Sequence, residues 1–152
     1  MEFRRTDGKN VDFIENCRLL DQVLEQRVGK ELQQNQYHVH NQLDKIHEAI
    51  VVYQNGCPIG GGAFRSIDSE TAELKRIFVQ PDWQGQGVGK ELVSRLIAWA
   101  SELGYKKLIL ESAKPLSEAH ALYRKLGFEM IPNYGPYVAM EESLCMAKEL
   151  TP

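Results

Sequence analysis

Three glycines in five residues, Gly85, Gly87 and Gly89, stand between a strand-like run closed by Pro81 and an apolar helical stripe. That junction constrains the fold most. Proline cannot continue a ladder, so the strand must end before it. The glycines let the backbone bend and come close to a neighbour. Beyond them Val88, Leu92, Val93, Leu96, Ile97, Ala100 and Leu103 recur at helical spacing, and Gly104 is a good C-terminal cap. A strand, a glycine-rich turn and an amphipathic helix in that order need a sheet with a helix packed on it.

The flanking segments say what kind of sheet. Upstream, Ala49 to Tyr53 is short and β-branched, and Asn55-Gly56 follows it. That dipeptide tolerates positive φ at both central positions of a tight hairpin. The return strand runs from Cys57 through Gly60-Gly61-Gly62 to about Ile67, where three glycines inside a strand predict a bulge or a close backbone approach. Asp68-Ser69-Glu70 turns the chain again, and Thr71 to Val79 completes a meander. Downstream, Lys107 to Glu111 reads as a strand. A short helix over about Ser117 to Leu126 buries Ala119, Leu122, Tyr123 and Leu126, and Gly127 ends it. Phe128 to Ile131 and Leu144 to Lys148 close the sheet as two strands. An earlier helix carries Phe13, Cys17, Leu20 and Leu24 on one stripe and stops at Gly29, with a weaker helical or loop stretch reaching about Ile46. A meander followed by strand, helix, strand, helix and strand predicts an α+β fold with a mixed sheet and helices on both faces.

The 152 residues suit a single domain over 1–152, large enough to bury roughly 68–70% of its unfolded surface. Hydrophobic residues at 43% and charged ones at 26% exclude a mainly disordered chain. With 18 Lys and Arg against 21 Asp and Glu, the charge argues against a nucleic-acid or anionic-membrane surface. No apolar run is long enough to span a bilayer. Met1-Glu2-Phe3-Arg4-Arg5 lacks the apolar core of a signal peptide. Cys17, Cys57 and Cys145 form neither a disulfide framework nor a metal spacing, so a reducing, cytoplasmic setting is expected. The only biased tract, Gln33-Gln34-Asn35-Gln36, reads as a surface loop.

The loop Gln84-Gly85-Gln86-Gly87-Val88-Gly89-Lys90 can do chemistry as well as turn the chain. Glycine-rich backbone at a helix N-terminus offers unpaired N–H groups and a positive dipole end, which together cradle phosphate. The structural alternative is a turn that serves only folding. A nucleotide P-loop needs glycine where Gln84 stands and Ser or Thr where Glu91 stands. A dinucleotide fingerprint starting at Gly85 needs glycine or alanine where Lys90 stands. Both fail.

The pattern Q-x-x-G-x-G, as Gln84, Gly87 and Gly89 after Ile77-Phe78-Val79-Gln80-Pro81, resembles the acetyl-CoA loop of the GNAT superfamily of N-acetyltransferases. The likeness continues through Ala119-x-x-Leu122-Tyr123-x-Lys125-Leu126-Gly127-Phe128 and covers about Ile50 to Leu150, the first 45 residues matching only in general layout. It implies the GNAT fold, with pantetheine lying between two parallel strands that splay apart. The amides of Gln84, Gly85, Gln86, Gly87, Val88, Gly89 and Lys90 would bind the pyrophosphate, and Lys90 would add charge. Main-chain groups of Ile77, Phe78 and Val79 would hold pantetheine. Where many members carry a cofactor-binding Asn this chain has Leu116, so the contact either passes to Ser117 or is absent.

Acyl transfer from a thioester needs a neutral amine, a polarised carbonyl and a protonated leaving thiolate. An alkylammonium has a pKa near 10.4, so about one molecule in a few thousand is neutral at pH 7 and a base helps. Glu73 stands where histone-type members keep a catalytic glutamate; the alternative is a strand carboxylate paired with Lys75 or Arg76. Tyr123 is the acid candidate, against a packing role for its ring. A main-chain N–H near Phe78 or Val79 would polarise the carbonyl. Lys75 or Arg76 could hold a substrate carboxylate unless a strand bulge redirects either one. Tyr134 and Tyr137 lie in a loop that borders the acceptor site in the family, or else only pack that loop. His38, His40 and His47 read as surface residues, since His38-x-His40 lacks a third ligand for a metal. Cys57 lacks a neighbouring His, and Trp83 and Trp99 read as packing residues.

The chain is therefore expected to move acetyl from acetyl-CoA directly to a primary amine of a small molecule, amino acid or peptide, with no metal. Neither nucleic acid nor membrane is an expected partner, and homodimers are common for this fold. Two rivals stay open: a non-catalytic acyl-CoA-binding regulator on the same fold, and an interaction module whose glycine loop is structural.

Overall fold

The computed structural model describes residues 1–29, 43 and 45–151. Strand β1 (Glu2–Thr6) leads into helix α1 (Val11–Val28), which Asn10 caps by accepting the N–H groups of Asp12 and Phe13. Gly29 ends the helix at φ 106°. Strands β2 (Glu48–Gln54), β3 (Cys57–Ser66) and β4 (Thr71–Val79) form the expected meander. Asn55 and Gly56 turn the first hairpin at φ 52° and 80°. Asp68 closes the second by accepting the N–H groups of Glu70 and Thr71, each at 2.8 Å. A 3₁₀ turn at Pro81–Trp83 and the glycine loop lead to helix α2 (Val88–Glu102). Strand β5 (Lys107–Ala113), helix α3 (Ser117–Lys125), strand β6 (Glu129–Ile131), a 3₁₀ turn at Gly135–Tyr137 and strand β7 (Ser143–Glu149) complete the chain.

The strands make one seven-stranded mixed sheet in the order β1-β2-β3-β4-β5-β7-β6. Helix α1 covers one face, where Phe13 and Cys17 pack on Ala49, Val51 and Ala63. Helices α2 and α3 cover the other, where Leu92, Leu96 and Tyr123 join Phe64, Leu74, Leu108 and Phe128. The α+β class with helices on both faces is as expected. Among the described residues no helix is long and apolar enough to cross a membrane. His38 and His40 lie outside the described residues, and His47 is exposed.

Two irregularities in the sheet create a site. The first is the β3–β4 bulge. Gly61 pairs with Phe78 but Ala63 pairs with Lys75, so β4 carries one residue more than β3 over that stretch. Arg76 absorbs the excess in the left-handed region at φ 61°. The β3 glycines lie close to both neighbouring strands: a Cβ on Gly61 would stand 2.8 Å from the carbonyl oxygen of Ile50 on β2, and one on Gly62 would strike Ile77 at the β4 bulge. The second is a parting of strands. β4 and β5 are parallel and pair only from Thr71↔Lys107 to Glu73↔Ile109. Beyond Glu73, β4 stays with β3, while β5 keeps its whole register with β7 to Ala113↔Ser143. A gap opens at the carboxyl ends of two central strands, the usual place for a ligand in such sheets.

Two details differ from the sequence expectation. Strand β1 was not foreseen. In α3 the buried side chains are His120 and Tyr123, while Ala119, Leu122 and Leu126 are half-buried against the core. His120 lies inside because its Nε2 meets Ser112 Oγ on β5 at 3.1 Å, which satisfies a polar ring in an apolar setting.

Candidate active site

The start of α2 is built to receive something. Its N-cap is Gly87, left-handed at φ 83°, and among the described residues no side chain caps the first turn. A helix start leaves N–H groups without intrahelical partners. Here they border a groove of about 510 Å³ lined by Gly85, Gly87, Gly89 and Lys90 on one side and by Ala119, Leu122, Tyr123 and Lys125 of α3 on the other. Ile77, Phe78 and Val79 form its floor, where β4 has left β5. Uncapped amides, a positive helix end and two lysines suit an anion such as a pyrophosphate, and the apolar floor suits an extended chain.

Most of the residues expected to bind cofactor meet in this groove. Gln84 lines it and also donates from Nε2 to the carbonyl oxygen of Val79 at 2.7 Å, tying the loop to the end of β4. Gln86 turns away and donates to the carbonyl of Asp82 at 3.2 Å. The Val88 side chain is buried in the core, which leaves its main chain as the part near the loop. Ser117 is exposed at the start of α3 and is not among the lining residues, whereas Leu116 is.

A second cavity, of about 110 Å³, continues the groove through the gap between β4 and β5. Tyr123, Ile77, Leu20, Leu24, Leu116 and Ala119 line both spaces, so Tyr123 stands at their junction. Glu73, Lys75 and Arg76 of β4, Glu111 of β5 and Tyr137 line the deeper part. Glu73 and Tyr123, chosen from sequence as base and acid, are thus brought to one cavity.

Their surroundings differ. Glu73 is only 2% exposed and both its oxygens are engaged. Arg65 Nε donates to Oε1 at 3.0 Å, Lys75 Nζ lies 3.5 Å from the same oxygen, and the Tyr134 hydroxyl donates to Oε2 at 2.5 Å. Lys75 Nζ also donates to the Tyr137 hydroxyl at 3.4 Å. Burial pushes the Lys75 ammonium below its ordinary range, partly offset by Glu73. The Tyr134 and Tyr137 hydroxyls are pushed up, first by burial and then by the charge of Glu73. Tyr137 thus lines the second cavity, and Tyr134 reaches its edge through Glu73.

Glu111 is the residue the sequence reading missed. Its Oε1 is buried without a hydrogen-bond partner among the described residues, and its carboxyl is pushed up to about 7 by burial, moderated by the Ser143 hydroxyl and by Lys75. A signal for it existed: one carboxylate ends the apolar run Leu108-Ile109-Leu110 of a strand, where a charge has no packing reason to be. Tyr123 is also pushed up, first by burial and then by Glu111, which keeps its proton on at neutral pH. Arg76 is swung by the bulge toward α1, where Nη2 donates to the Cys17 carbonyl at 2.8 Å and to Asp21 Oδ1 at 2.7 Å.

A sequence model of the acetyltransferase (GNAT) family matches residues 14–128. The IAA acetyltransferase of Azospirillum brasilense is 38% identical over 103 residues, 66% of this chain and 67% of that protein. An uncharacterized N-acetyltransferase of Escherichia coli K12, YjgM, is 36% identical over 88 residues, 56% of this chain and 53% of that protein. The matches thus span about half to two thirds of these relatives. Among solved structures, a GNAT family acetyltransferase from Elizabethkingia anophelis with acetyl-CoA bound is 25% identical, with a TM-score of 0.60 over 80% of this chain and 83% of that one.

Proposed function

Since the chain belongs to the GNAT family of acetyltransferases, we propose that it transfers the acetyl group of acetyl-CoA directly to a primary amine of a small molecule, amino acid or peptide, in a ternary complex. One observation carries this reading: the uncapped glycine loop and an ionisable cavity meet at Tyr123 through the β4–β5 gap. A regulator that only binds acyl-CoA would need the groove but not the ionisable cavity behind it.

Acetyl-CoA supplies an activated acyl carbon and a thiolate leaving group. The loop amides and Lys90 hold the pyrophosphate, and the open edge of β4 around Ile77, Phe78 and Val79 holds pantetheine and offers a main-chain donor to the carbonyl. Glu111 takes a proton from the acceptor ammonium with its unpartnered oxygen, a task suited to a carboxyl that titrates near 7. The neutral nitrogen attacks the acyl carbon, the C–N bond forms and the C–S bond breaks. Tyr123 gives its phenolic proton to the sulfur and recovers one from the nitrogen. Glu73, read from sequence as the base, here holds Arg65, Lys75 and Tyr134 in place around the reaction.

A thermal scan with acetyl-CoA, followed by an acetylation screen over amines, amino acids and peptides, tests the proposal. A native-state ligand raises stability, so the melting temperature should climb with acetyl-CoA concentration and an acetylated amine should appear. Stabilisation with no product from any acceptor would favour the regulator.

A further inference from the structure

The cavity behind Tyr123 contains two incomplete partnerships of opposite character. Arg76 is 6% exposed, yet its Nε–H has no partner among the described residues, although Nη2 is held by Cys17 and Asp21. Glu111 has the reverse deficiency, an Oε1 buried without a donor among the described residues. Both residues line the same space. A buried polar group left unpaired costs about 1–3 kcal/mol, so two such groups in one cavity call for an explanation. Neither is a helix end or a surface cluster. Arg76 is placed by the left-handed bulge on β4, and Glu111 stands on the other lip of the gap, beyond Ile109 where pairing stops.

The charges define the missing partner further. Glu73, Lys75, Arg76 and Glu111 line the cavity, while Arg65 pairs with Glu73 and Asp21 with Arg76. With Glu111 ionised, cations and anions in this group are equal in number. A ligand with a net charge would leave one charge uncompensated in a desolvated site, which is expensive. A ligand carrying one of each would not. From these unpartnered groups and this balance we infer that the acceptor is a zwitterionic free amino acid, its carboxylate accepting the N–H of Arg76 Nε and its ammonium donating to Glu111 Oε1. This rests on the acetyltransferase reading and names its substrate class. The ammonium then sits on the carboxyl that deprotonates it, beside Tyr123 and the groove. The bulge is what brings the guanidinium to this position, by turning Arg76 toward α1.

The test is a matched ligand series titrated calorimetrically into the protein saturated with coenzyme A. Alanine and leucine are each compared with their carboxamides, which lack the anion, and with propanoate and 4-methylpentanoate, which lack the amine. A site built to pair both ends rejects analogues that leave one buried group unsatisfied. At least one amino acid should bind tenfold or more tighter than both of its analogues, and its acetylation should show the same preference in kcat/KM. Arg76→Gln should erase the preference over the carboxamide while leaving the preference over the deaminated acid. Should R76Q fail to fold, the wild-type ratios alone decide. If carboxamides bind and react as well as the amino acids, the inference is overturned while the acetyltransferase reading stands. If coenzyme A itself does not bind, both fall.

Discussion

The loop at Gln84–Lys90 and the cavity around Glu111 meet at Tyr123, but they are built in opposite ways. The loop is contiguous: its glycines, its lysine and the helix they start lie within one short segment, and what it presents to the groove is main chain and one lysine. The cavity is assembled by tertiary structure. Tyr134 reaches Glu73 across 61 residues of sequence, Lys75 meets Tyr137 across 62, and Arg76 holds Cys17 across 59. Backbone chemistry at a helix end depends on conformation, which glycines advertise. Side-chain chemistry at a strand gap depends on which residues the bulge and register bring together, and no local pattern announces that. Cofactor binding should therefore break through backbone changes in the loop, and acceptor chemistry through single polar atoms in the cavity.

Tyr123 belongs to both regions and should separate them most sharply. Tyr123→Phe keeps the ring packed edge-on against Phe128 but removes the proton donor. Turnover should fall by about 10- to 1000-fold with acetyl-CoA affinity nearly unchanged, read by steady-state kinetics beside calorimetry. Equal losses in binding and turnover would make Tyr123 a packing residue.

Glu73→Gln should cost stability. It leaves Arg65 and the buried Lys75 without their anion, and breaking a buried pair costs about 3 kcal/mol or more. Urea denaturation should show the loss. An unchanged midpoint would show that Glu73 does not hold these partners together.

On the cofactor side, Gly87→Val places a β-branched residue at φ 83° with no atom of the described residues within 4 Å of the new Cβ, so packing survives while the turn is strained. Coenzyme A should bind about 10- to 100-fold more weakly by calorimetry. Unchanged affinity in a folded variant would detach the loop from the cofactor. Lys90→Ala gives the smallest effect, about 2- to 5-fold for an exposed charge, and the loss should shrink in high salt. An equal loss for a phosphate-free pantetheine fragment would show that Lys90 does not meet phosphate.

The same division explains what could be read in the sequence. Asn55-Gly56, Pro81 and the glycine loop each constrain their own few residues, so the meander and the strand–turn–helix junction were legible. The three β3 glycines signalled a close approach, and the bulge opposite Gly62 is that approach. Strand β1 was not legible, because Glu2-Phe3-Arg4-Arg5-Thr6 has one apolar residue. It is held by pairing with β2 and by Arg4 and Arg5 lying over the rings of Tyr53 and Trp99, each at 4.5 Å. For Glu73 the pairing with Lys75 on its own strand was legible, but its other partners, Arg65 on β3 and Tyr134 in the loop before β7, were not. Glu111 carried a faint signal that only burial makes strong.

Glu111 is the sharpest claim about the cavity, and its titration gives it two pH signatures. Its folded pKa of about 7 lies above the unfolded value near 4.5, so the native state holds the proton more tightly. The associated stability is complete below about pH 4.5 and is lost as pH rises through 7, up to about 3 kcal/mol, and Glu111→Gln should not show that loss. The most direct measurement is the pH profile of kcat/KM for wild type and Glu111→Gln with one primary amine. In the wild type the rate should rise to about pH 7 as Glu111 ionises and then level off, because the enzyme itself neutralises the bound ammonium. The variant must wait for neutral amine from solution. Its rate should start about 100-fold or more lower near neutrality and keep rising toward the amine's own pKa, about 10 for an alkylamine, so that the gap narrows. Profiles that run parallel across the whole range would contradict a proton-accepting Glu111.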